Sequence, residues 1–111
     1  MNWITDQIAI GNYLDAQDLE LLRREGIMSI LSLDGSLAGR APSELGVQKI
    51  AAMKLQDGPG NDRATFLQAV DTLARFVSAS PPVLVQCHAG RSRSVVIVAG
   101  HPRQNARHRA K

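Results

Sequence analysis

Cysteine is almost missing from this chain: Cys87 is the only one in 111 residues. One thiol cannot close an intramolecular disulfide, which excludes a disulfide framework and any redox cycle through a cysteine pair, and such usage fits a reducing cytoplasm. Together with only three histidines, His88, His101 and His108, it also falls short of a structural zinc set. Aromatic residues make up 4% of the sequence, so the core has to be aliphatic. No apolar run approaches the roughly 20 residues of a membrane-spanning helix, the opening residues have no signal-peptide pattern, and no internal repeat is present. These absences predict one soluble cytoplasmic domain with no membrane partner, and 44% apolar residues suffice for a single modest core.

Acidic residues are absent from the last stretch. Residues 1–100 hold nine Lys or Arg against ten Asp or Glu, a net of −1, whereas residues 101–111 hold four basic groups and no acid, a net of +4. The division expected is a folded domain over 1–100 and a basic, disordered tail over 101–111, because the tail has no apolar periodicity and Pro102 would break a helix reaching it. Any nucleic-acid contact would be weak and confined to that tail, which lacks interleaved aromatics.

What the chain does have is concentrated in Cys87-His88-Ala89-Gly90-Arg91-Ser92-Arg93-Ser94. Ten Arg, nine Gly and eleven Ser plus Thr in 111 residues put the odds of Gly, Arg and a hydroxyl falling at these offsets from the lone cysteine at roughly 0.0007 by composition. A cysteine thiol has a pKa of about 8.5 and becomes a nucleophile only when positive charge or a helix N-terminus lowers it. Gly90 allows successive N–H groups to turn inward around an anion. Arg93 offers a planar fork for two phosphate oxygens, and Ser94 a donor for the sulfur. The segment therefore reads as a phosphate cradle, His88, Ala89, Gly90, Arg91, Ser92 and Arg93, with a nucleophile at its floor.

The surroundings support that position. Val83-Leu84-Val85, entered through Pro81-Pro82, has the continuous apolar pattern of a strand buried on both faces. Cys87 would sit at its carboxyl end, where open α/β sheets bind ligands, with a helix starting near Arg93 aimed at the phosphate. The run 95–99 is β-branched but is read as a buried helix on context. Elsewhere, residues 8–10 read as a strand, and Asp15 opens a helix with Leu19 and Leu22 on one face and Gly26 as its stop. Residues 28–33 form a second strand ending at Asp34-Gly35. A polar connection, 36–46, leads to a strand ending near Leu55, followed by the turn Asp57-Gly58-Pro59-Gly60. A helix over 61–78 presents Phe66, Leu67, Val70, Leu73, Ala74 and Val77. Alternating elements of this kind predict an α/β fold with a mostly parallel central sheet flanked by helices.

Residues 83–94 resemble the signature loop of the cysteine-dependent protein tyrosine phosphatases, most of all the small dual-specificity phosphatases. Ile8-Ala9-Ile10-Gly11, Ile30-Leu31-Ser32-Leu33 and Asp57, thirty positions before Cys87, agree with that family in order and distance, so the resemblance covers about residues 5–100. It implies the dual-specificity-phosphatase fold, C-terminally shortened. It also implies hydrolysis of phosphotyrosine, with phosphoserine and phosphothreonine as further substrates. Cys87 would form a phosphocysteine, Asp57 protonate the leaving oxygen and then activate water, and Arg93 bind the phosphoryl oxygens, with neither metal nor cofactor. Two departures stand out. Gln86 occupies the position before the nucleophile that is commonly histidine, implying a less acidic thiol. The chain also ends eighteen residues past Arg93, where the family continues through further helices.

Plainer readings stand beside these. Cys87 can be an inert core residue, Arg93 a surface ion-pair partner, and Asp57 only a turn former. Asp62 is the competing acid, or a helix cap. His88 can contribute its N–H alone, Arg91 can face solvent, and Trp3 and Met53 are rim or core. The partner expected is a phosphorylated protein or another phosphomonoester. The alternatives to a phosphatase are a phosphate-binding module without catalysis and a sulfurtransferase carrying a persulfide on Cys87.

Overall fold

A computed structural model describes residues 1–55, 63–87 and 97. Its centre is a five-stranded sheet built from β1 (Asn2–Trp3), β2 (Ile8–Gly11), β3 (Ser29–Ser32), β4 (Lys49–Ala52) and β5 (Val83–Gln86), in the order β1-β2-β5-β3-β4. The short edge strand β1 runs antiparallel to β2, and every other pairing is parallel. The expected mostly parallel sheet is therefore present. Strand β5 lies at its middle, with all four residues buried, as an uninterrupted Val-Leu-Val run between two parallel neighbours requires.

Side chains alternate between two cores. On one face Ile8, Ile10, Leu31, Leu33, Val83 and Val85 meet helix α3 (Arg63–Ala79). On the other, Ala9, Ile30 and Leu84 meet Leu22 of α1 (Leu19–Glu25) and Leu45 of the single turn α2 (Pro42–Leu45). The three inner strands β2, β3 and β5 are thereby buried on both faces, whereas the edge strands β1 and β4 stay partly exposed. No helix among the described residues is long and apolar enough to cross a membrane.

Several expectations are corrected in detail. Asp15 opens a 3-10 turn (Asp15–Gln17), not the helix; Asp18 is the N-cap of α1, its carboxylate accepting from the Leu21 N–H at 3.1 Å. The side chain that can accept from a first-turn N–H marks the start, and Asp18 sits three residues before Leu21. Gly26 does end the helix, at φ 75°. Leu22 is buried but Leu19 is 53% exposed, because a two-turn helix buries only the line that faces the sheet. The connection over 36–46 is not simply polar: Leu37 and Leu45 are fully buried and pin α2 beneath the sheet. The strand expected to end near Leu55 ends at Ala52, though the Leu55 N–H still donates to the Leu33 carbonyl at 2.9 Å.

On α3, Phe66, Val70, Leu73 and Val77 pack on the sheet with Ala69 and Phe76, whereas Leu67 is 50% exposed and Ala74 only half-buried. Positions 67 and 74 lie one residue, about 100°, off the 66–70–73–77 line, which is enough to turn them out. Asn61 and Asp62, at the expected start of this helix, lie outside the described residues, as does the tail 101–111. From the run 95–99, Ile97 is helical and buried against the α3-side core; the other four residues lie outside the described set. Trp3 is a rim residue, its indole N–H donating to Glu25 at 2.8 Å, and Met53 is half-buried against the α3-side core.

Candidate active site

Cys87 is the first residue after β5 and stands at the carboxyl edge of the parallel strands, 1% exposed. Alternation along β5 places it with Val83 and Val85 in the α3-side core. Its N–H donates to the Gly11 carbonyl at the end of β2, at 3.3 Å. After β2 the chain packs α1 on one face of the sheet, whereas Ile97, ten residues past Cys87, packs on the other. Adjacent parallel strands whose chains leave to opposite faces open a crevice beyond their carboxyl ends, the usual ligand position in such sheets. The lone cysteine therefore stands at the side of the sheet where folds of this kind bind ligands.

Gly11 is required by the packing there. A Cβ at this position would lie 2.7 Å from an Asp15 carboxylate oxygen and 3.0 Å from Leu84 Cδ1. Asp15 is held in place by Asn12: the Asn12 N–H donates to Asp15 Oδ2 at 3.1 Å, and the Asp15 N–H donates to Asn12 Oδ1 at 2.9 Å. The Met1 ammonium adds an ion pair to the same carboxylate at 3.2 Å. Glycine lets the end of β2 approach both groups and still present its carbonyl to Cys87.

On the opposite face of β5, Gln86 is fully buried and belongs to a polar cluster. Its Nε2 donates to Asp34 Oδ2 at 2.9 Å, and Ser32 Oγ donates to Asp34 Oδ1 at 3.3 Å. The Ser36 N–H donates to Asp34 Oδ1 at 2.9 Å, closing an Asx turn over Gly35. The Ser36 hydroxyl has one proton, shared between Asp34 and Gln86 Oε1, the latter 3.4 Å away. Partial burial pushes the Asp34 pKa up, but the donors from Ser36, Gln86 and Ser32 outweigh it and hold the carboxyl below its ordinary 3.8. This cluster was not anticipated from sequence, where Asp34-Gly35 read only as a turn. The available signal was the buried amide itself, since a glutamine inside a strand must find partners.

Of the site residues expected from sequence, Cys87 alone is among the described residues, directly after the carboxyl end of β5. Asp57, His88, Ala89, Gly90, Arg91, Ser92, Arg93 and Ser94 lie outside the described residues.

Comparison with known proteins bears on the same region. The chain is 31% identical over 102 residues to dual specificity protein phosphatase 22 of Xenopus tropicalis, an alignment covering 91% of this chain and 47% of that protein. The chain is a relative of the small dual-specificity phosphatases. Its fold superposes on the crystal structure of DUSP15 with a TM-score of 0.76 at 24% identity, covering 92% of this chain and 64% of that one. A mouse dual specificity phosphatase complexed with zinc tungstate gives a TM-score of 0.73 at 29% identity, over 91% and 62% of the two chains. The chain thus spans about half the length of its curated phosphatase relative. No family model matches it.

Proposed function

We propose that this dual-specificity-phosphatase relative hydrolyses phosphotyrosine in cytoplasmic proteins, and phosphoserine and phosphothreonine with it, through a phosphocysteine. The observation that carries the reading is Cys87, the chain's only thiol, at the carboxyl end of the central parallel strand and first in the segment Cys87-His88-Ala89-Gly90-Arg91-Ser92-Arg93. In this reading the Cys87 thiolate attacks phosphorus and the P–O ester bond breaks, with Asp57 giving its proton to the leaving oxygen. Water then attacks the phosphocysteine, Asp57 takes the water's proton, and inorganic phosphate leaves as the thiolate is restored. Arg93 holds two phosphoryl oxygens in both steps. The N–H groups of residues 88–93 complete the anion site, and Ser94 donates to the sulfur as it leaves phosphorus.

The test is turnover of p-nitrophenyl phosphate. Wild-type protein hydrolyses it and vanadate inhibits it, while Cys87→Ser and Arg93→Ala lose turnover by about 100-fold or more. Undiminished turnover by Cys87→Ser contradicts the assignment.

One observation favours a second reading, a phosphate-binding module without catalysis. The residue before Cys87 is a neutral amide committed to Asp34 on the far face of β5, so it adds no positive charge beside the thiol. Retained phosphate binding with no turnover and a Cys87 pKa near the ordinary value of about 8.5 selects that reading; a value below about 7 selects the phosphatase.

A further inference from the structure

Gln86 and Asp34 form a buried polar pair where apolar side chains would pack at less cost. A fully buried amide and a partly buried carboxylate each give up water, and such groups are retained most clearly where they specify one arrangement. The arrangement here is unique. An ionised Asp34 only accepts, so the Gln86 amide nitrogen has to face it and the amide oxygen has to face Ser36. The Asx turn at Ser36 fixes the carboxylate in its turn. The backbone is held at the same point: the Gln86 carbonyl accepts from the Leu33 N–H at 2.7 Å, and the next N–H, that of Cys87, donates to Gly11. The end of β5 is therefore tied to the residues that follow β3 through both side chain and main chain, one residue before the cysteine.

We infer that Asp34, acting through Gln86, is a positioning residue for Cys87: by fixing the Gln86 side chain it sets the exit direction of the chain from β5, and so the place of the sulfur in its anion site. The inference rests on the phosphatase reading for its catalytic consequence, but its structural consequence is read on the thiol alone. A thiolate is stabilised only where donors converge on it, so a cysteine shifted from that point becomes less acidic.

The experiment titrates Cys87 by ultraviolet thiolate absorbance in the full chain, with Cys87→Ser as the blank; a single cysteine makes the signal unambiguous. Asp34→Ala raises the Cys87 pKa by about one unit and lowers kcat for p-nitrophenyl phosphate about tenfold, with KM changed less than about twofold. Asp34→Asn, which keeps a neutral acceptor for the Gln86 amide, restores both values most of the way, a recovery that a role in overall stability alone would not tie to the thiol. Asp71→Ala, which breaks an exposed pair with Arg75, changes neither. Should Asp34→Ala fail to fold, Gln86→Met removes the amide while keeping the volume and has to give the same rise. An unmoved Cys87 pKa in the folded variant overturns the positioning role. A wild-type protein without turnover overturns the phosphatase reading instead, and the thiol titration still decides the role of Asp34.

Discussion

Gly11 and Asp34 show how single residues shape the edge from which Cys87 projects. Gly11→Ala forces a Cβ to within 2.7 Å of Asp15 Oδ2 and 3.0 Å of Leu84 Cδ1; overpacking of this kind costs about 1–3 kcal/mol. The measurement is urea denaturation, where the midpoint falls with an unchanged slope. Asp34 sets a pH dependence. Its folded-state carboxyl holds a proton less tightly than the ordinary 3.8, so around that pH the unfolded chain binds more protons than the folded one. The stability it contributes is fully present above the unfolded pKa and is lost as pH falls through the depressed folded value. Urea midpoints followed from pH 5 downward therefore drop more steeply for wild type than for Asp34→Asn; parallel curves would contradict the hydrogen-bond cause. Cys87 stands out in the sequence because it is the only cysteine and its neighbours are rare in combination. Asp34 does not, because an Asp-Gly pair marks a turn in any sequence, and only the pairing of β3 with β5 brings it to Gln86.

Secondary-structure elements were legible in proportion to how much of their pattern is local. Strands β2 and β5 are short apolar runs and α3 carries its stripe over seventeen residues, so the strands emerge from the runs themselves and the helix from its periodicity. Single turns do not: α2 is four residues long and is held by Leu37 and Leu45 beneath the sheet, a tertiary cause with no repeat to announce it. The same limit explains Leu19 and Leu67, apolar residues whose exposure is decided by which line of the helix meets the sheet. Two contrasts check this placement. Leu73→Ala costs about 2–5 kcal/mol and Leu67→Ala stays within about 0.5 kcal/mol in denaturant unfolding. Asp18→Ala, by removing the N-cap of α1, costs about 0.5–2 kcal/mol, whereas Asp15 leaves that cap intact.

At the scale of the molecule, the strand order puts β5 between β2 and β3, so the cysteine leaves from the central strand and not from an edge strand. That order sets the last strand in the sequence between two earlier ones, a non-local pairing that no local pattern shows. It gives Cys87 a parallel neighbour on either side of the strand it follows. In the proposed reaction phosphate passes through a bond to Cys87. Rapid quenching of wild-type protein mixed with p-nitrophenyl phosphate, followed by intact-mass measurement and peptide mapping, tests it most directly. A phosphocysteine route predicts one transient phosphoryl group per chain, mapped to Cys87 and lost in Cys87→Ser. Steady release of p-nitrophenol with no phosphorylated protein at any quench time, or with the label on another residue, would contradict it.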